Sequence, residues 1–116
     1  MKRPVAIRLN DMLAMIDAVA EMVEGVEFAG FRADLKLRLA IERAIEVVSE
    51  ASRHIPSSEK DRFSHLPWTE IAAIGNKLRH EYQRVDDHII WDIAVRGLPD
   101  LRSTVLLLLE SSRGGS

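Results

Sequence analysis

Apolar residues recur at intervals of three and four along most of the chain, and this spacing constrains the fold more than any other feature of the sequence. Side chains spaced in this way fall on one face of an α-helix, whereas a half-buried strand needs an alternation of period two. No segment sustains that alternation. The first helical segment, which Gly25 stops, carries Leu9, Met12, Leu13, Ile16, Val19, Ala20 and Val23. The sequence therefore predicts an all-α fold.

Two longer helices are predicted in the middle of the chain. The first begins near Phe31 and ends before Pro56, and residues 56–66 form a connector with one short helical turn after Ser57. The next begins with Pro67, because the first turn of a helix does not use the N–H that proline lacks. Its apolar stripe consists of Ile71, Ile74, Leu78, Tyr82 and Val85, so we expect this helix to continue to Val85.

The last third of the chain supplies the remaining helices. We expect Asp86 to cap a segment over residues 87–95, because its carboxylate can accept from exposed backbone N–H groups. Gly97 is expected to end that segment and Pro99 to open a last helix. Short connectors between amphipathic helices favour antiparallel neighbours. The sequence thus predicts an up-and-down bundle of four main helices and a short one.

The predicted last helix is apolar on every face over residues 105–109. A small domain has little surface of its own against which to bury such a helix, so a homodimer interface is one explanation and burial in the core is the other. The length of 116 residues fits a single domain, which we place at residues 1–112. Residues 113–116 have nothing to pack against and are expected to fray.

Charge balance and the absence of cysteine exclude several classes of protein. With 16 basic and 18 acidic residues the formal net charge is −2, which excludes nucleic-acid binding through bulk positive charge and gives no reason to expect a DNA partner. Without cysteine the chain has no disulfide, thiolate zinc site or cysteine nucleophile. The longest apolar run is too short to span a membrane, and Arg8, Asp11 and Asp17 interrupt any apolar leader. We expect a cytoplasmic protein.

Histidines and tryptophans give weaker signals. His54, His65 and His88 suggest a metal site, but metal-binding helical bundles use Glu-x-x-His pairs on facing helices, and the sequence contains none. Trp68 and Trp91 are expected to pack the bundle rather than to stack on bases. The sequence also lacks a glycine-rich phosphate loop. It therefore predicts neither a metal nor a cofactor.

One predicted helix carries the candidate chemistry. Asn76, His80 and Gln83 lie on the side opposite its buried Leu78, and Arg79 lies between the two faces. A neutral imidazole can take the proton from a ribose 2′-hydroxyl, a guanidinium can hold the phosphate, and an amide can orient either group. Gly75 costs a helix about 1 kcal/mol relative to alanine, so we expect a close approach there. This set suits phosphodiester cleavage, although an ordinary surface helix can carry the same residues.

The segment resembles the signature of HepT-like proteins, a branch of the HEPN superfamily. In that family a helix reads Arg-Asn, three residues, His-x-Tyr, and then Val-Asp and a Trp. This chain has, in the same order, Gly75-Asn76, His80-Glu81-Tyr82, Val85-Asp86 and Ile90-Trp91. Further similar blocks lie at residues 28–31, 39–44, 50–51, 67–68, 71–72 and 98–101. The resemblance covers most of the chain.

The resemblance implies an all-helical HEPN bundle that forms a homodimer and cleaves RNA without a metal in a cleft at the dimer axis. It also implies the toxin of a type VII toxin–antitoxin pair, with a minimal nucleotidyltransferase (MntA-like) as its antitoxin. In the family that partner attaches AMP to the tyrosine of the His-x-Tyr element, here Tyr82, and the added phosphates fill the RNA cleft with negative charge. On a continuous helix Tyr82 would lie about 160° from His80.

The chain departs from the family pattern at one position, because Gly75 stands where the family has its catalytic arginine. Arg79 lies one turn further on, about 40° around the helix axis, and would reach back over Gly75, where the glycine leaves room for the guanidinium. We therefore expect Arg79 to supply the catalytic cation beside His80, with Asn76 orienting the imidazole or the substrate.

Two further residues are auxiliary candidates, namely Arg84, beyond His80 on the same predicted helix, and Glu50, near the end of the long helix. Two alternatives to an active ribonuclease stay open. One is a non-catalytic HEPN module whose degenerate Arg-x4-His motif binds RNA or the nucleotidyltransferase partner without cutting. The other is a purely structural helical dimer.

Overall fold

The computed structural model describes residues 4–114 except for the side chains of Tyr82 and Arg113. All regular structure in that range is helical, which confirms the predicted all-α bundle. The α-helices are α1 (Val5–Val23), α2 (Phe28–Ala33), α3 (Leu35–Ser52), α4 (Ser57–Asp61), α5 (Trp68–His80), α6 (Asp87–Asp92) and α7 (Leu98–Gly114). A 3₁₀ turn over Tyr82–Arg84 follows α5, and a π turn over Ile93–Gly97 joins α6 to α7. The homodimer stays a prediction.

The core lies where α1 packs against both α3 and α7, and α5 packs on α3. The centre of the core consists of Met12, Ile16, Phe31, Ile41 and Ile45, each no more than 2% exposed. Trp68 and Trp91 are half-buried against this core, as predicted. Because α5 contacts the rest of the bundle mainly through α3, the opposite face of α5 lies at the edge of the molecule.

The predicted second helix is divided at Asp34, which corrects the expectation of one helix from near Phe31. Phe31 belongs to the short α2, where it is buried, and α3 begins at Leu35. Asp34 has an extended backbone, and its carboxylate accepts a hydrogen bond of 3.1 Å from the N–H of Leu37. This N-cap interaction satisfies a helical donor that has no partner within the helix.

Helix α5 ends at His80, five positions before the predicted end at Val85. At Glu81 the backbone leaves helical geometry, with φ −138° and ψ 32°, and a 3₁₀ turn follows. Beyond that turn Val85 packs half-buried against the core, and Asp86 caps α6. These tertiary contacts override the helical spacing of the apolar residues. The predicted angle between Tyr82 and His80 on one helix is therefore wrong.

The π turn ends at Gly97 and Pro99 stands in the first turn of α7, as predicted, but the backbone stays helical across this boundary. Helix α6 continues through the π turn into α7. In this turn the N–H of Leu98 donates to the carbonyl of Ile93, one residue further back than in an α-helix. The ring of a proline clashes with the carbonyl of residue i−4 in a regular α-helix, and the widened turn lies immediately before Pro99.

Several local predictions are confirmed. The carboxylate of Asp86 accepts a hydrogen bond of 2.7 Å from the N–H of His88, which stands in the first turn of α6. A short helix, α4, begins at Ser57. His54 and His65 are exposed at the surface.

The leucine-rich end of α7 is divided between core and solvent. Val105, Leu108 and Leu109 are buried, whereas Leu106 is 40% and Leu107 49% exposed. Core burial thus accounts for one face of this stretch. Helix α7 continues to Gly114, past the expected domain end at residue 112, and residues 115–116 lie outside the described residues. Over residues 4–114 no helix combines the length and apolarity needed to cross a membrane.

Candidate functional site

Gly75 of α5 lies directly against Ser49 of α3. A Cβ atom added at Gly75 would lie 2.7 Å from Oγ of Ser49 and 2.9 Å from its Cβ, which is closer than Cβ atoms approach other atoms. The N–H of Gly75 donates to Oγ of Ser49 at 3.0 Å, and the same hydroxyl donates to the carbonyl of Ala72 at 3.1 Å. The predicted close approach at Gly75 is confirmed, and the approaching element is α3.

This contact determines which face of α5 turns outward. Gly75 and Leu78 are buried, whereas Asn76, Arg79 and His80 are exposed. The three predicted site residues therefore share the outer side of α5 near its C-terminal end. The expectation that Gly75 leaves room for the guanidinium of Arg79 is wrong, because Ser49 fills the space over the glycine.

Arg79 and Asn76 contact one another on this outer side. The guanidinium Nη2 of Arg79 donates to Oδ1 of Asn76. The last turn of α5 holds Lys77, Arg79 and His80, and the negative end of a helix dipole favours cations at that position. The end of α5 thus presents a fixed cation, an amide and an imidazole to solvent, groups that can bind an anion and transfer a proton.

The other predicted site residues lie outside α5. Arg84 lies in the 3₁₀ turn, where its guanidinium pairs with Glu81 at 3.8 Å. Glu50 is exposed on α3 and pairs with Nε2 of His54 at 3.2 Å, beside the middle of α5 rather than its end. The side chain of Tyr82 lies outside the described residues.

A residue that sequence reasoning missed, Glu42, lies on α3 beside the C-terminal end of α5. The two helices run in opposite directions, since Ser49 meets Gly75 whereas Arg38, further back on α3, reaches Asp87 beyond α5. Glu42 lies between those two positions of α3. It therefore stands next to the end of α5 and the connector that follows it.

The surroundings of Glu42 disfavour its ionised form. Burial raises the pKa of the Glu42 carboxyl above its ordinary value. The Arg38 guanidinium opposes this effect and lowers the pKa, whereas the negative charges of Asp87 and Glu46 raise it further. In the sequence Glu42 is one of several acidic residues interleaved with arginines on the outer face of the long helix. What distinguishes Glu42 from Glu46 and Glu50 is the raised pKa that its burial and neighbours produce.

Within residues 4–114 no three His, Asp or Glu side chains are grouped so that they could hold a metal ion.

Comparison with known proteins gives consistent matches. The family model described as Ribonuclease HepT-like matches residues 12–107. A protein of Thermococcus cleftensis named Probable ribonuclease HepT is 33% identical over 102 residues, 88% of this chain and 93% of the relative. An inferred RNase of Caldanaerobacter subterraneus subsp. tengcongensis is 32% identical over 105 residues, 90% of this chain and 94% of the relative. No solved structure matches.

We predict that Gly75→Ala destabilises the protein even though alanine is the better helix former. The new methyl group overlaps Ser49, and overpacking of this kind costs about 1–3 kcal/mol in the free energy of unfolding. Gly30→Ala is the matched control, because the nearest atom to a Cβ there is 3.5 Å away; it should be neutral or slightly stabilising. Urea denaturation measures both changes, and an equal effect of the two substitutions would contradict the proposed contact.

We also predict a pH-dependent effect of Glu42→Gln. Between the ordinary value of 4.5 and the raised pKa, the folded chain binds more protons at Glu42 than the unfolded chain, so this residue's contribution to stability falls as pH rises through that window. Glutamine stays neutral and removes the loss. The variant should therefore gain stability relative to the natural protein between pH 4 and pH 7 in urea denaturation. Glu110→Gln, at an exposed position of α7, serves as the control, and a pH-independent difference for Glu42→Gln would refute the prediction.

Proposed function

The chain belongs to the HepT-like ribonuclease family, and on that premise we propose that it is a toxin that cuts RNA without a metal ion. The observation that carries the proposal is the grouping of Asn76, Arg79 and His80 on the exposed end of α5, within the part of the chain that matches the family. Family membership supports ribonuclease activity in general, and the grouping supports the residues that would perform it.

In the proposed reaction His80 acts as the general base. Its neutral imidazole removes the proton from a ribose 2′-hydroxyl, the 2′-oxygen attacks the adjacent phosphorus, and the 5′-oxygen of the next nucleotide leaves. Arg79 holds the phosphate and stabilises the extra negative charge of the transition state. Asn76 already accepts a hydrogen bond from Arg79, so it restrains the guanidinium before RNA binds.

The proposal includes a homodimer, because each chain offers one His80 and the reaction needs a base and then an acid. The exposed Leu106 and Leu107 of α7 are apolar side chains that such an interface could cover. RNA would lie in the cleft between the two copies.

Regulation is proposed to act through Tyr82. A nucleotidyltransferase antitoxin would attach AMP to its hydroxyl and release pyrophosphate from ATP. The backbone of Tyr82 lies two residues beyond His80, at the start of the 3₁₀ turn. A phosphate group on this connector would repel the phosphates of RNA from the end of α5.

The non-catalytic alternative has one observation in its favour. Position 75, where the family's arginine stands, is packed against Ser49 and has no space for a side chain. If Arg79 cannot take over the role of that arginine, the chain binds RNA or its partner without cutting.

We predict that the purified protein cleaves a structured RNA in excess EDTA. His80→Ala should slow cleavage about 100-fold or more, which is the usual contribution of a general base. His65→Ala changes another exposed histidine, which precedes the N-terminal end of α5 and so lies at the opposite end of that helix from His80, and it should leave the rate unchanged. Cleavage that requires a divalent metal, or that persists in His80→Ala, would contradict the mechanism.

The same assay separates the two arginines. Arg79→Lys keeps the charge but loses the planar fork, so cleavage should fall about tenfold or more, whereas Arg84→Lys should have little effect. The reverse result would assign the cation to Arg84. No cleavage by the natural protein under any of these conditions would favour the non-catalytic alternative.

We predict that co-expression with the cognate nucleotidyltransferase increases the intact mass of the chain in steps of one AMP. Tyr82→Phe removes the acceptor hydroxyl and should abolish the increase. An unmodified mass from a pair in which the antitoxin still neutralises the toxin would rule out this form of regulation.

A further inference from the structure

A polar cleft of about 530 Å³ opens between α2, the N-terminal half of α3 and the connector after α5. Its walls include Phe28, Leu39, Glu42, Gln83 and His88. Neither the proposed reaction nor the proposed modification uses this cleft.

The cleft lies within reach of the candidate catalytic histidine. Gln83, on its wall, is three residues after His80. Consecutive Cα atoms are about 3.8 Å apart, so the Cα atoms of these two residues are at most about 11 Å apart. A nucleotide next to the cleaved linkage could therefore place its base in the cleft.

Both arginines of the cleft face the carboxylate of Asp87. Arg38 pairs with Asp87 at 3.4 Å, and Arg32 lies 3.8 Å from the same carboxylate. Glu42 lies close to this group, and burial together with Asp87 raises the pKa of its carboxyl. The two arginines of this cleft, Arg32 and Arg38, are matched by the carboxyl groups of Glu42, Asp86 and Asp87, so the lining carries no excess of positive charge to attract phosphate. It offers instead the hydrogen-bonding groups that recognise base edges.

One wall of the cleft is an aromatic platform. The rings of His88 and Phe28 stack with their centroids 4.0 Å apart and their planes 14° from parallel. Phe28 is half-buried and His88 is exposed, so the outer face of the imidazole is accessible to another flat ring. Unpaired bases commonly stack on side chains of this kind.

We propose that this cleft binds the base of a nucleotide adjacent to the scissile phosphate, with His88 stacking on the base and Glu42 reading its edge. The inference rests on the proposed function for the position of the phosphate. It adds a base preference to the cleavage reaction and assigns that preference to α3 and the connector rather than to α5.

The test measures binding, so that it does not depend on cleavage. Four fluorescein-labelled RNA pentanucleotides with uridine at the four outer positions and A, C, G or U at the centre are titrated against His80→Ala, with fluorescence anisotropy as the readout. We expect affinities for the four central bases to differ by about tenfold, the discrimination typical of a well-made base contact. Adding Glu42→Gln should reduce the range to about threefold or less or change the preferred base.

Two further variants in the same background separate the parts of the cleft. His88→Ala should weaken binding of all four RNAs about equally, because stacking is tolerant of base identity. Glu110→Gln removes a carboxylate from the exposed surface of α7 and should leave both the affinities and the preference unchanged.

Equal affinities for the four RNAs, the absence of binding, or a preference that survives Glu42→Gln would each overturn the inference. Light scattering tests a further outcome. If Glu42→Gln changes the molecular mass of the assembly but leaves the base preference intact, the cleft is a contact between copies of the chain, and the inference is also overturned. Base-selective binding by a protein that never cuts RNA would refute the proposed activity alone. Cleavage without base selectivity would refute the inference alone.

Discussion

The hydroxyl of Ser49 bridges two helices at a point where neither has room for a larger side chain. It accepts the N–H of Gly75 and donates to the carbonyl of Ala72, so it fixes both the separation and the rotation of α5 relative to α3. Because α5 joins the bundle mainly through α3, the outward position of His80 follows from this contact. Rotation of α5 by the angle of one residue, about 100°, would turn a different set of side chains to solvent.

The same contact gives a physical meaning to the departure from the family pattern. In this chain packing requires a glycine at position 75, so no arginine side chain can stand there as it does in the family pattern. Arg79 is exposed on the helix end and already hydrogen-bonded to Asn76. An arginine at position 75 would have to serve both packing and charge. In this chain different residues serve these two purposes.

Local spacing was sufficient to predict the helical fold, the cap at Asp86 and the close approach at Gly75, because each depends on a short stretch or on the chemistry of one residue. It could not identify Ser49 as the neighbour of Gly75, since the two are 26 positions apart. The end of α5 at His80 and the raised pKa of Glu42 were missed for the same reason, because both depend on contacts between distant parts of the chain. The π turn escaped prediction because glycine and proline usually mark a break.

The uninterrupted run from α6 through the π turn into α7 is about 40 Å long at roughly 1.5 Å per residue, close to the 47 Å long axis of the molecule. Such a run is one continuous helical segment rather than two helices joined by a loop. At the N-terminal end of the run, Asp87 pairs with Arg38 and Arg32. Leu106 and Leu107 are exposed towards its C-terminal end. Because the run is continuous, the geometry of the π turn sets where Leu106 and Leu107 lie relative to the connector after α5.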